Sequence, residues 1–316
     1  MARIAVAGGA GLIGSHLCSL LVERGDTVYC IDNLSTGFRE NILPLSKKKN
    51  FHFVKADISK PFRAPKVGCI YNLASPASPI DYQEKPIQTL DAGSVGVKNL
   101  LELARKSDAK ILFASTSEVY GNPLEHPQKE SYWGNVNPIG PRSCYDEAKR
   151  FGEAMCSSYR RVYGVDAKIA RIFNTYGPKM RANDGRVVPN FICQALGNEP
   201  ITVYGNGSQT RSFCYVSDLV DGLDRLMASE EQGPMNLGNP RETTMLELAN
   251  LVVSLAGSGS KIVFEGLPQD DPERRMPDIS LAKKTLGWHP KTSLEEGLAI
   301  SIDYFRSRMH AGLKQN

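Results

Sequence analysis

Residues 6–16 read "VAGGAGLIGSH", and the fold follows from how this stretch joins its neighbours. Before it, Arg3–Ala7 is a short apolar run of strand character; after it, Leu12–Arg24 repeats apolar residues at helical spacing. Gly8, Gly11 and Gly14 therefore occupy a strand-to-helix turn. Glycine permits that tight turn and lets backbone N–H groups approach a pyrophosphate at the helix N-terminus. A glycine triplet alone is a weak signal, and here its context carries it. Asp32 ends the second strand, 18 positions after Gly14, where a carboxylate can take the hydroxyls of an adenine ribose. That charge would repel a 2′-phosphate, so the expected cofactor is NAD. Leu12 and Ile13 at the helix start, Asn33 beside Asp32, Asp57 and Ile58 after the third strand and Leu73 after the fourth complete the expected cofactor contacts. Asp57 is equally readable as a loop cap.

Outward from this turn, strands at Thr27–Ile31, Phe51–Lys55, Cys69–Leu73, Lys110–Ala114 and Ala167–Ile172 alternate with crossovers. Two of the crossovers are long helices, near Pro86–Lys106 and Arg142–Tyr163. Such alternation predicts an α/β fold, a Rossmann-type doubly wound parallel sheet covered by helices on both faces. Beyond Asn174 the pattern loosens, with short strands at "ITVYG" and "KIVFEG" and helices at Thr243–Ala256, Ile279–Leu286 and Leu294–Arg306. We read residues 1–174 as the NAD-binding domain and 175–316 as a smaller C-terminal α/β substrate lobe, interleaved with the first. The chain holds 316 residues, 41% hydrophobic and 23% charged, with a net charge of +4, as an ordinary globular protein does. Lys47-Lys48-Lys49 reads as a solvated loop, so no nucleic-acid partner is expected. Seven cysteines without a Cys-x-x-Cys pair, and five scattered histidines, predict no disulfide framework and no metal. No stretch reaches the roughly 18 apolar residues of a membrane span, and the expected setting is soluble and cytoplasmic.

The chemistry is expected where the fifth strand runs into "ASTSEVYG", residues 114–121. Thr116, Ser117 and Glu118 stand at the mouth of the sheet. Further on, "SCYDEAKRFGEA" puts Tyr145 and Lys149 four residues apart at the start of a helix, hence on one face. A cation near a phenol stabilises phenolate, so Tyr145 can take a hydroxyl proton while hydride leaves the same carbon. Thr116 supplies a hydroxyl to hold the reacting oxygen beside it. The Pro-rich loop from Gly121 to Pro141 carries Tyr132 and Trp133, and a loop of that length is usually functional.

The Gly-x-x-Gly-x-x-Gly spacing with Tyr-x-x-x-Lys resembles the extended short-chain dehydrogenase/reductase superfamily. "ASPASP", "STSEVYG", "HPQKESYWGNVNPIGPRSCYDEAKR", "ARIFNTYGP", "NDGRVVPNF", "VYGNGSQTRSFCYVSDL", "NLGNP" and "DDPERRMPDI" resemble one branch of it, the UDP-glucuronic acid decarboxylases, from about Arg3 to Phe305. The resemblance implies a redox cycle on UDP-glucuronic acid. Tyr145 takes the C4 hydroxyl proton as NAD takes the C4 hydride; the 4-keto acid loses CO2, C5 is protonated, and hydride returns to C4, giving UDP-xylose. Glu118 and Ser117 are then expected at the C5 carboxylate, with Glu118 an anion repelling an anion. Arg275 matches the family arginine near the sugar, with Arg274 its competitor. Asn174, Tyr204, Gln209 and Arg211 are carried over to the nucleotide. The family also implies a homodimer through the two long helices, with Leu90, Val97, Leu101, Phe151, Met155 and Tyr159 as apolar positions. Departures are Gly93 for a usual asparagine, Asn72 for a histidine and Pro189 for a serine-like residue. Alternatives are an oxidative decarboxylase releasing UDP-4-keto-pentose and NADH, a UDP-glucuronate 4-epimerase, and a non-catalytic NAD-sensing regulator. Tyr145 and Lys149 argue against the last.

Overall fold

The computed structural model describes residues 1–266 and 274–310. Seven strands make one sheet: β1 (Arg3–Ala7), β2 (Thr27–Asp32), β3 (Phe51–Lys55), β4 (Cys69–Asn72), β5 (Lys110–Thr116), β6 (Ala167–Ile172) and β7 (Pro234–Leu237). Their order is β7-β6-β5-β4-β1-β2-β3, in the numbering used here, and every pair is parallel. The order reverses between β1 and β4, so their C-terminal ends diverge and open a crevice where ligands bind in such sheets. Ala5, Val6, Ala7, Ile70, Leu112 and Ile111 are essentially solvent-free, because helices cover both faces.

Three helices position the site. Helix α1 (Leu12–Glu23) follows the glycine turn. The second long helix is not uniform: Pro86–Asp91 and Val97–Ser107 are α-helical, and Ala92–Gly96 between them is a π-turn. We call the segment Val97–Ser107 α2. Helix α3 (Ser143–Tyr163) packs against this run, and Gly93 lies at their contact, where a Cβ would stand 2.5 Å from Cβ of Ala148. A helical glycine costs about 1 kcal/mol, and here it permits a close approach that an asparagine would not.

The remaining elements build the second lobe, with the helix Val187–Leu196, the helix Met245–Ala256 and the helix Leu294–His310 around Phe191, Ile192, Leu248 and Leu298. Two elements beyond residue 174 belong to the first layer. Strand β7 extends the main sheet, and the helix Val216–Ala228 shares the core of α1. No helix among the described residues is long and apolar enough to cross a membrane.

Candidate active site

A cleft of about 840 Å³ runs from the glycine turn across the ends of β1, β4 and β5 into the second lobe. Its cofactor end is shaped by what glycine omits. Gly8 has φ +77°, and a Cβ there would stand 2.7 Å from the carbonyl of Leu73. At Gly14 a Cβ would lie 2.1 Å from the Gly8 oxygen, so the third glycine lets α1 start against the turn. Gly11 caps the helix without a side-chain bond, and Leu12, Ile13 and Gly14 present the first helical N–H groups along the cleft wall. This cradle of bare backbone at a helix N-terminus fits a dinucleotide pyrophosphate.

Asp32 is buried at the end of β2, where Oδ2 accepts from Ala10 N (2.9 Å) and Oδ1 from Leu34 N (2.8 Å). Burial pushes its carboxyl above the usual value, against those two bonds. Each oxygen keeps a lone pair for a ribose hydroxyl. Asp57 accepts at Oδ1 from both Ser59 N and Ser59 Oγ, capping its own turn, and at Oδ2 from Asn33 Nδ2 at 3.4 Å. Asp32, Asn33, Asp57 and Ile58 stand outside the cleft lining, whereas Gly8, Gly11, Leu12, Ile13, Gly14 and Leu73 form part of it.

At the chemical end, Thr116, Ser117, Glu118, Tyr145 and Lys149 line one cleft. Strand β5 ends at Thr116, whose side chain caps a 3-10 turn (Ser117–Tyr120) by accepting from Glu118 N at 3.2 Å. That turn swings Ser117 and Glu118 into the cleft. From α3, Tyr145 hydrogen-bonds the Thr116 side chain and stacks on Tyr82, with ring centroids 5.1 Å apart. Lys149, one turn on, donates to the Ala114 carbonyl (2.8 Å), its ammonium 5.6 Å from the Tyr145 ring centroid. Burial pushes Tyr145 up to about 12, with the Thr116 bond opposing, and lowers Lys149 to about 8. The expectation that Lys149 depresses the tyrosine is thus corrected: in the protein alone, desolvation wins and Tyr145 holds its proton.

Glu118 is also corrected. It is not an unpaired anion, since Arg142 Nη2 donates to Oε2 at 2.5 Å and Arg275 Nη1 donates to Oε1. Its carboxyl is held down to about 2; burial opposes this, and the charges of Arg275 and Arg142 overcome it. Two guanidiniums against one carboxylate leave this trio net positive. Arg275 is buried and lines the cleft, whereas Arg274 is exposed and does not. Residues 270–273, the start of "DDPERRMPDI", lie outside the described residues.

Asn174, Tyr204, Gln209 and Arg211 all line the same cleft. Asn174 Oδ1 and Tyr82 Oη are buried without a partner, and Gln209 Nε2 donates to the Tyr204 carbonyl at 2.7 Å. Sequence reasoning missed several wall residues: Tyr82, Arg142, Arg181 paired to Asp81, and Arg186 paired to Asp184. Asp184 and Arg186 sit inside "NDGRVVPNF", and Arg142 inside the long motif ahead of Tyr145, so the motifs pointed at them without a role. Tyr132 and Trp133 lie outside the cleft lining. Trp133 is exposed, and buried Gln128 ties the loop to the Arg275 strand through the backbone of Met276.

The profile of the family described as GDP-mannose 4,6 dehydratase matches residues 5–300. The chain is 52% identical over 314 residues to UDP-glucuronic acid decarboxylase 4 of Arabidopsis thaliana, covering 99% of this chain and 71% of that one. The chain belongs to the UDP-glucuronic acid decarboxylase family. It is 54% identical over 303 residues to the Danio rerio UDP-glucuronic acid decarboxylase 1, covering 96% of this chain and 72% of that one. Among solved structures, Thermotoga maritima UDP-glucose 4-epimerase with UDP-glucose matches with TM-score 0.89 and 31% identity, covering 97% of this chain and 99% of that one. The Bacillus cereus UDP-glucuronic acid 4-epimerase in complex with UDP-glucuronic acid and NAD matches with TM-score 0.85 and 26% identity, covering 96% and 99%.

Proposed function

We propose that this chain is an NAD-dependent carboxy-lyase that converts UDP-glucuronic acid to UDP-xylose and CO2. The observation that carries the reading is the Glu118–Arg142–Arg275 cluster beside the Thr116–Tyr145 pair in one cleft. A UDP-glucuronate epimerase would also seat the substrate carboxylate; what favours decarboxylation is the Glu118 carboxylate held between two arginines at that patch. NAD, when bound against the glycine turn, supplies the acceptor and then the donor of hydride.

In this reading, Thr116 holds O4 of the sugar against Tyr145, and the phenol oxygen exchanges a proton with O4. The protein alone leaves Tyr145 protonated, so the positive charge of the bound oxidised cofactor is what favours phenolate. The C5 carboxylate lies against Arg275 and Arg142, with Ser117 and Glu118 orienting it. A β-keto acid loses CO2 readily once its carboxylate stands out of the ring plane, and desolvation in the cleft assists release of a neutral gas. Asn174, Tyr204, Gln209 and Arg211 hold the nucleotide, Arg211 through the bidentate phosphate geometry that suits arginine.

We place the enzyme in a reducing, cytoplasmic compartment, in keeping with seven free thiols. We also propose a homodimer. Val97, Leu101 and Tyr159 are buried within the subunit and cannot contribute; Leu90 and Phe151 are exposed, with Ile87 and Val95 beside Leu90 on the same helical run. Incubation with UDP-glucuronic acid separates the readings. UDP-xylose without net NADH supports ours. UDP-4-keto-pentose with equimolar NADH indicates the oxidative decarboxylase, and a C4 epimer without CO2 indicates the epimerase.

A further inference from the structure

Decarboxylation with recycled cofactor has an unbalanced proton. The O4 proton passes to Tyr145 and returns from it, so it cancels. When CO2 leaves, the C–C electron pair stays on C5 and takes up a proton that the substrate does not supply. Each turnover therefore consumes one proton from water, and it must reach a buried carbon. Glu118 does not store it, because two arginines hold that carboxyl ionised.

Behind the cluster lies a second cavity of about 250 Å³. Glu118, Arg142 and Arg275 form the wall it shares with the main cleft. Its rim is made by Asn122, Asn135 and Asn137, all exposed, so it opens to solvent. The space is far above the roughly 10–15 Å³ that one water needs, and polar side chains (Glu118, Arg142, Asp146 and the three asparagines) stand in its walls. Asp146 lines this chamber and is absent from the main cleft. Successive helical residues turn by about 100°, so α3 aims Tyr145 at the substrate side and Asp146 at the chamber. Asp146 is 6% exposed, and its Oδ1 has no hydrogen-bond partner.

We propose that Asp146 is the proton store for C5: its carboxylic acid gives a proton through chamber water, past Glu118, to the carbon left by CO2, and is refilled from solvent at the asparagine rim. Asp146 does not touch the sugar; it acts through water. The charges facing it are Glu118 and Arg142 in the cluster, Arg275 from the strand Arg274–Arg275, Glu147 on its own helix, and the neutral Tyr82, Tyr145 and Cys144. Burial first, and then Glu118, raise its carboxyl to about 7 against the two arginines, so at neutral pH it is about half protonated.

The inference rests on the decarboxylase reading, and Asp146→Asn tests it separately. Single turnovers of wild type and variant with UDP-glucuronic acid are followed by NADH absorbance. NADH forms in the oxidation and decays only after C5 is protonated. In the variant, formation should stay within about 2-fold while decay slows at least about 10-fold, and UDP-4-keto-pentose with NADH should rise as a share of product. Between pH 7 and 9 the wild-type decay should fall by at least about 10-fold as Asp146 ionises, and the variant's decay should lose that slope. Lys149 imposes its own alkaline loss on formation, so the decay phase is the one that reports Asp146. Equal slowing of both phases would mean a structural role and overturn the proposal, as would a variant decay matching wild type. If wild type releases no CO2, the parent reading fails instead.

Discussion

Replacing Glu118 by Gln removes the one negative charge between two arginines while keeping the side chain's shape. The structure sets the size of the effect. A carboxyl held at about 2 against its ordinary 4.5 contributes about 3 kcal/mol to folding at neutral pH. This is the scale expected when one partner of a buried ion pair is lost. The sign follows from the direction: a depressed carboxyl stabilises above pH 4.5, and that contribution is lost as pH falls from 4.5 toward 2. Urea unfolding at pH 7 should therefore show the variant less stable by about 3 kcal/mol, and the gap should narrow below pH 4.5. Catalysis should separate from binding. The uncompensated arginines hold the substrate carboxylate more tightly, so KM falls or stays level, while CO2 release slows by about 10²- to 10⁴-fold. A variant as stable as wild type at pH 7, with wild-type turnover, would refute both the pairing and the role.

Tyr145→Phe should abolish the first oxidation, so no NADH transient appears on mixing with substrate, while cofactor and substrate still bind. Asp32→Ala should relax the preference for NAD over NADP in a binding titration, since the carboxylate that repels a 2′-phosphate is gone; an unchanged ratio would remove Asp32 from the ribose. Leu90→Glu together with Phe151→Glu should convert a dimer to a monomer in sedimentation velocity, and a wild type that is monomeric at every concentration would end the dimer proposal.

Much of the first sheet is legible because its strands are short apolar runs closed by glycine or polar turns, as at Ala7–Gly8 and Ile31–Asp32. Strand β7 is not, since "PMNL" carries a proline and an asparagine and forms only by pairing with β6. The helix Val216–Ala228 has a readable apolar period in Leu219, Leu223 and Leu226, but Gly222 interrupts it. The structure explains that glycine: a Cβ there would stand 2.9 Å from the Trp288 ring. In the π-turn at Ala92–Gly96, Gly93 packs against Ala148, a partner no local pattern names. In the site, Thr116, Tyr145 and Lys149 were readable because a strand end and one helical turn fix them. The pairing of Glu118 with Arg142 and Arg275 was not, because those partners lie 24 and 157 residues away. Spacing names the charged residues; only the fold says which of them neutralise one another.

The most direct test of the central claim is an NMR time course with UDP-glucuronic acid labelled with ¹³C at C6, run in D2O. The account predicts that the label appears wholly as CO2 and bicarbonate, that UDP-xylose forms in equal amount with deuterium at C5, and that no NADH accumulates. Label retained in a six-carbon sugar nucleotide, inverted at C4, would contradict it.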